Sequence, residues 1–438
     1  MVSILKRWIS ALFSYIHFKK RSKMRLLFIV TSFWAYGELQ IAMDFATGMK
    51  NAGNAVQFLI PPSHTKKVES KGFSYQVLIP NAGKLNRILF QDIELTYQPT
   101  HIVLSDFLNY AFCERHYGVT EKDITLFSGL IGTFDLYDFA LAGKQVDTYG
   151  FRAKEMAKLN IDSYDFLLQP CPVNQTDSKK NANIFRYRMF QDICPRTEEE
   201  KEKARTFFKI AEEEKIILMT GAVWQSSFRP YAKVKQIVET VDNAVLKLIE
   251  GLPKTYKIYW IGPRCSPFSN KDNRIKQIDS LPAEQFEMLA DAADVFLSMN
   301  YISTSMVRAA LHGIPVVLLG NSFVKRDGKQ WSLENRKNNS IVAGMEEVYP
   351  FRMFPVGWYS FLKPTVQKNS FYQLTKCTEI FETTNVIETV KQMACMNFEQ
   401  CQFRLENYKQ KWNLLPTVQE FKDFMECEKI GADGGNIV

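Results

Sequence analysis

What most restricts this chain is the alternation of short apolar runs with amphipathic helical stretches from residue 24 to about residue 330. Residues 26–56, LLFIVTSFWAYGELQIAMDFATGMKNAGNAV, set the pattern: an apolar run, a short loop, a helix, then Ala-Gly and a second apolar run. Apolar runs without period-two alternation predict strands buried on both faces, and intervening helices imply that neighbouring strands are parallel. Further strands are expected over 56–60, 75–79, 101–104 and 124–127. The run DFLLQPCPVN (165–174) breaks at two prolines and closes a first domain. Residues 175–205, polar and charged, read as a connector with a helix.

A second series then begins. Strands are expected over 216–219, 256–261, 274–277, 295–297 and 315–319, with helices over 234–250, 283–290 and 304–312. The fold class is therefore α/β, as two doubly wound parallel-sheet domains facing a cleft, with ligands at the strand C-terminal ends. The expected layout is an extension over 1–23, a first domain over 24–174, a connector over 175–205, a second domain over 206–397, and C-terminal helices and a tail over 398–438. The segment FEQCQFRLENYKQKWNLLPTVQEFKDFMEC (398–427) reads as helices crossing back to brace the first domain.

Composition narrows the function. The 438 residues carry a formal net charge of +8, but Lys6, Arg7, Lys19, Lys20, Arg21 and Lys23 supply six of those charges with no acid among them, leaving +2 for the rest. General nucleic-acid binding is thus disfavoured. Leu5, Trp8, Ile9, Leu12, Phe13 and Ile16 share one face of that extension. The stretch is too short to span a bilayer and lacks a small-residue cleavage site, so it reads as a basic N-terminal amphipathic helix, an in-plane anchor on an anionic membrane surface. The alternative is a loosely ordered extension before a first strand that starts at Met24. The eight cysteines form no C-x-x-C pair and the five histidines no ligand pair, which argues for reduced thiols in the cytoplasm and for no metal.

The loop after the first strand lacks G-x-G-x-x-G and holds Gly37 followed by Glu38. A helix-N-terminal acid stabilised by the dipole is one reading of Glu38; a general base is the other, and the dipole would weaken it. The richest segment is LPAEQFEMLADAADVFLSMNYISTSMVRAALHGIPVVLL (281–319). There Ser303, Thr304 and Ser305 start a helix, and free N–H groups and hydroxyls at such an end suit a diphosphate. They also suit plain N-capping.

The order strand–Thr220-Gly221, strand–Gly262-Pro263, Leu281-Pro282, Asp294 and a helix ending A-x-x-G-x-P resembles the donor half of GT-B glycosyltransferases. The resemblance implies two Rossmann-like domains, a nucleotide-diphosphate sugar donor, an acceptor hydroxyl on a glycan, lipid-linked or small molecule, and no cofactor. It would place Leu281 against the nucleotide base, Ser303, Thr304 and Ser305 on the diphosphate, and Thr220, Gly221 and Gly262 on the facing loops. Trp224 and Gln225 would stack on and bond a sugar or base, unless Trp224 is core. Where many members carry a Glu on the sugar or ribose hydroxyls, this chain has Arg308, which accepts no hydrogen bond. An altered donor bearing an extra anionic group, or lost activity, follows. Glu38 falls where many members have the catalytic His, and Asp106 resembles the Asp that orients it. Asp135 and Tyr137 are further cleft candidates, and His312 reads as packing. The implied setting is envelope glycan, glycolipid or capsule synthesis on the cytoplasmic face of a bacterial membrane. A nucleotide-sugar 2-epimerase-like enzyme and an inactive GT-B scaffold at the membrane are the alternatives.

Overall fold

The computed structural model describes residues 23–33, 35–106, 114, 116–136, 164–175, 183–221, 243–262, 273–301, 303–320, 324–326, 330–332 and 368–433. The expected N-terminal helix, Tyr137, Trp224 and Gln225 lie outside them.

The first domain is a parallel sheet of β1 (Arg25–Ile29), β2 (Ala55–Ile60), β3 (Ser74–Val77), β4 (His101–Leu104), β5 (Leu130–Phe134), β6 (Phe166–Cys171) and β7 (Ile184–Arg188), ordered β3-β2-β1-β4-β5-β6-β7. Leu26, Leu27, Phe28 and Ile29 are all fully buried, as a strand covered on both faces requires. Among the crossing helices are α1 (Tyr36–Asn51), α2 (Thr65–Ser70), α3 (Gly83–Thr96) and α4 (Glu121–Ile124).

Two readings of the sequence change here. The expected strand over 124–127 is the end of α4 and the turn after it; Ile124 and Phe127 are buried at helical spacing while Leu126 points to solvent. The Asp123 carboxylate accepts the Thr120 N–H at 2.6 Å and starts that turn. The fifth strand is Leu130–Phe134 instead. And Ile184–Arg188, inside the stretch read as connector, is the seventh strand, paired with β6 from Leu167↔Ile184 to Cys171↔Arg188.

The second domain holds β8 (Lys215–Thr220), β9 (Tyr256–Ile261), β10 (Ile275–Ile278), β11 (Val295–Ser298), β12 (Val316–Gly320) and β15 (Thr375–Glu379), ordered β10-β9-β8-β11-β12-β15. Between β12 and β15 in the chain lies a ribbon, β13 (Val324–Arg326) with β14 (Gln330–Ser332). Among the described residues its helices are α5 (Glu198–Phe207), α6 (residues 243–251), α7 (Ala283–Ala292), α8 (Thr304–Leu311) and α9 (Thr383–Ala394). Helix α5 opens on a capping box in which Thr197 and Glu200 satisfy each other's backbone N–H, and it docks on the second domain through Asp294. That buried carboxylate takes Lys201 Nζ at 2.9 Å, Arg205 Nη1 at 3.3 Å and the Ile216 N–H at 2.8 Å.

The C-terminal crossing is present. Helix α10 (Phe398–Trp412) leads through a 3-10 turn (Val418–Glu420) into α11 (Phe421–Asp433). Trp412 Nε1–H donates to the Cys171 carbonyl at 3.1 Å, and the Arg188 N–H donates to the Pro416 carbonyl at 2.9 Å. Phe421, fully buried, sits among Phe45, Phe166 and Phe185 with ring centres 5.3–5.4 Å away. Gly48 on α1 makes room for the crossing: a Cβ there would meet Val418 at 2.7 Å.

Candidate active site

In each sheet the order of strands reverses its direction of growth at one place, the place where doubly wound sheets bind their ligands beyond the strand C-terminal ends. In the first domain that place lies between β1 and β4; in the second it lies between β8 and β11. Helices α1 and α8, which follow those two switch points, pack against each other.

At the first switch point, Asp106 follows β4 and is buried. Its carboxylate accepts the Thr31 N–H at 2.9 Å, the Thr31 hydroxyl at 3.0 Å and the Ser32 N–H at 2.7 Å, clamping the loop after β1. The same loop is held from β2: His64 Nε2–H donates to the Ser32 carbonyl at 3.1 Å, and the His64 ring meets the Tyr36 ring edge-on at 4.6 Å. Burial pulls the His64 imidazole down to about 4, so it is neutral at physiological pH.

The clamp fixes where α1 starts. Ala35 provides no side-chain cap, and Glu38 stands in the first turn. Desolvation pushes the Glu38 carboxyl up to about 7; its own backbone N–H opposes the rise, and the Asp106 carboxylate adds to it. The competition between helix-end stabilisation and burial is therefore won by burial, and Glu38 is poised between its acid and base forms near neutrality. Asp106 also has a raised pKa, from burial first, countered by the N–H and hydroxyl donors of Thr31 and Ser32. With every oxygen engaged it reads as the clamp of the loop and the electrostatic neighbour of Glu38.

Asp135 follows β5 and is fully buried; Gln169 Nε2 donates to it at 2.9 Å, and Arg186 donates to the Gln169 carbonyl oxygen at 2.6 Å. A polar row thus crosses three adjacent strands, one residue from each of β6 and β7 and one just past β5.

At the second switch point, Thr220 and Gly221 end β8 and Gly262 follows β9. The Gly221 N–H bonds the Ile261 carbonyl at 2.8 Å. Gly262 has φ +112°, and a Cβ on it would meet the Gly221 carbonyl oxygen at 2.4 Å, so two backbones approach closely because neither side chain exists. After β11, the strand paired with β8, Ser303 caps α8 by accepting the Met306 N–H at 3.3 Å, which satisfies the capping reading for that residue. Thr304 and Ser305 stand half-buried in the first turn. The preceding loop is anchored by Tyr301, whose hydroxyl meets Cys377 Sγ at 2.7 Å and whose carbonyl accepts from the Tyr372 hydroxyl at 2.8 Å. Leu281 packs half-buried against the core ahead of α7.

Arg308, one turn into α8, pairs with Glu287 on α7 and lies over the Phe190 ring at 5.1 Å. Phe190 follows β7 in the first domain, so the contact spans both. Asp44 of α1 accepts the Phe190 N–H at 3.1 Å, and burial lifts its carboxyl to about 7, against the pull of that N–H and of Arg308. His312 is structural: Nδ1–H reaches the Cys194 carbonyl at 2.6 Å and Nε2 the Asp291 carboxylate at 2.5 Å, tying the connector to the second domain.

Sequence reasoning passed over Asp44, His64, Gln169 and Arg186. The signal for His64 was present in PPSH, at the C-terminal end of the second strand; Asp44 gave none, since only the fold brings Phe190 and Arg308 to it. Among the described residues, no cluster of three His, Cys, Asp or Glu is placed to hold a metal ion, and no helix is long and apolar enough to cross a membrane.

The chain is similar in structure to spinosyn forosaminyltransferase SpnP (12% identity, TM-score 0.52, covering 94% of this chain and all of that one). It is similar at the same level to spinosyn rhamnosyltransferase SpnG (9%, 0.51, 92% and 100%) and to glycosyltransferase VinC, crystallised with dTDP (10%, 0.51, 93% and 100%). The fold is GT-B. No curated protein matches the sequence. Residues 45–425 match the profile of a family described as of unknown function, DUF6365, and the chain belongs to that family.

Proposed function

We propose that this protein is a glycosyltransferase that moves a sugar from a nucleotide-diphosphate sugar to an acceptor hydroxyl. The observation that carries the reading is Glu38: a carboxyl brought to about 7 by burial, at one switch point of a GT-B fold whose other switch point presents Thr220, Gly221 and the start of α8. In the proposed reaction the ionised Glu38 takes the acceptor hydroxyl proton, and the acceptor oxygen forms its bond to the anomeric carbon. The bond from that carbon to the phosphate oxygen breaks, and its electron pair leaves with the nucleoside diphosphate. The Thr304 and Ser305 hydroxyls and the N–H groups of the α8 first turn receive the growing negative charge, with Gly221 at the end of the neighbouring strand β8. No metal or cofactor enters this scheme. The SpnP and SpnG neighbours, named as sugar transferases, and VinC, named with dTDP, support the reading through the shared fold.

The setting we favour is the cytoplasmic face of a bacterial membrane, in envelope glycan, glycolipid or capsule synthesis, with residues 1–23 as the anchor. A second reading, an inactive scaffold, is favoured by one observation: Arg308 stands where a hydroxyl acceptor is expected and is paired with Glu287. The epimerase reading gains nothing from His64 and His312, which are both held in structural bonds.

A thermal-shift panel of nucleoside diphosphates and nucleotide sugars separates these readings. Stabilisation by one nucleotide class is expected, and none by any would refute both enzyme readings. With the donor known, Glu38→Gln should lower transfer about 100-fold or more while donor binding stays unchanged.

A further inference from the structure

Helix α3 has apolar residues on two sides. Phe90 and Ile93 are buried in the core, yet Leu85, Ile88 and Leu95 stand 55%, 59% and 75% exposed. At about 3.6 residues per turn, positions 85, 88 and 95 line up in one row on the side away from Phe90 and Ile93. Three large aliphatic side chains in one row in water leave burial to be gained by a segment that covers them.

The row ends beside the place where the chain enters the first domain. Arg25 opens β1, and its Nε–H donates to the Gln98 carbonyl, just past the end of α3, at 2.6 Å. The Tyr97 hydroxyl donates to the Leu26 carbonyl at 3.0 Å. A cavity of about 550 Å³ lies there, lined among others by Arg25, Glu94, Leu95, His101 and Leu130. Glu94 Oε1 accepts the Ser128 N–H at 3.3 Å and the Ser128 hydroxyl at 2.5 Å. Its Oε2 is buried and, among the described residues, has no hydrogen-bond partner. Asp92, exposed, adds a second acid to the same half of α3, whereas Arg87 is engaged with Asp123 at 3.2 Å and the Gly118 carbonyl at 3.1 Å.

The sequence upstream of Lys23 matches this surface in length, reach and charge. Leu5, Ile9, Leu12 and Ile16 share one face of a helical reading. From Leu5 to Ile16 a helix rises about 16 Å, against about 15 Å from Leu85 to Leu95. Residues 17–23 span at most about 23 Å, enough to bring Ile16 back to Leu95 beside the entry of β1. Lys6, Arg7, Lys19, Lys20, Arg21 and Lys23 come with no acid among them, complementary to Asp92 and Glu94. An anionic bilayer fits the row less well, because it would press its phosphates against those two carboxylates.

We infer that residues 5–16 dock along the outer face of α3. The first domain and a bilayer then compete for the same apolar side chains, so a docked segment is not an anchored one. This goes beyond the glycosyltransferase reading and does not depend on it.

Hydrogen–deuterium exchange of the full chain without lipid tests it. The amides of residues 5–16 should exchange at least about tenfold more slowly than in a synthetic peptide of residues 1–23. Ile88→Asp combined with Leu95→Asp should return them to the rate of the peptide, while the amides of β1 and β4 keep their wild-type protection and show that the domain is folded. Exchange at the rate of the peptide in the wild type overturns the proposal, and so does protection that survives the double variant. Protection that appears only with phosphatidylglycerol vesicles also overturns it and leaves the membrane anchor standing. Protection that grows with protein concentration gives the face to a second copy and overturns it as well.

Discussion

At the residue scale, Glu38 illustrates how burial reverses a helix-end preference. A carboxylate in the first turn of a helix is ordinarily stabilised as the anion. Here desolvation outweighs that, and the group titrates near 7. As a general base it works only when ionised, so kcat/KM for transfer should rise with pH and level off above about 7, with a slope set by one ionisation. A pH–rate profile that is flat from 5 to 8 would remove Glu38 from that role. The same shift has a stability consequence of defined sign. Because the folded state holds the Glu38 proton more tightly than the unfolded chain does, the contribution is fully present below about 4.5 and is lost as pH rises to about 7. His64 runs the other way: its folded pKa of about 4 costs stability as pH falls below 6.5. The clean measurement is thus a difference: the melting temperature of Glu38→Gln minus that of wild type should become more positive between pH 4.5 and 7, then stay constant.

At the scale of elements, two strand-end loops carry the site, and each is fastened by a different device. The loop after β1 is clamped by one buried carboxylate from the end of β4, on which two backbone N–H groups and a hydroxyl converge. Asp106→Ala would leave those donors buried without an acceptor. A loss of about 1–3 kcal/mol in urea unfolding is expected, together with reduced transfer because α1 is no longer positioned. The loop after β8 is fastened by close backbone approach. Gly262→Ala forces a Cβ into the Gly221 carbonyl at a positive φ, and about 2 kcal/mol or more of destabilisation is expected, with weakened nucleotide binding. An alanine variant with wild-type unfolding and binding would show that the two loops do not depend on this contact.

At the scale of the molecule, the C-terminal chain locks the first domain from outside. Phe421 fills a pocket formed by α1, β6 and β7, and Phe421→Ala should cost about 3–5 kcal/mol. Circular dichroism melts would read it, and a change below 1 kcal/mol would mean the helix is only laid on the surface. This crossing was legible from FEQCQFRLENYKQKWNLLPTVQEFKDFMEC as helices, and the structure adds that Asn397 with Gln400 and Thr417 with Glu420 fix where they start. So were most strands, because parallel strands buried on both faces must be unbroken apolar runs. The sequence alone therefore determined the α/β class, the two halves, the glycines at the strand ends and the hydroxyls at the start of α8, all of which rest on local periodicity and turn chemistry. The strands β7 and β15, short and partly polar, were decided by pairing with distant neighbours. The near-neutral carboxyls of Glu38 and Asp44, the clamp on Asp106 and the seating of Arg308 over Phe190 were likewise decided only in the tertiary structure. Desolvation and charge proximity depend on which distant segments close over a side chain, and no window of sequence contains them.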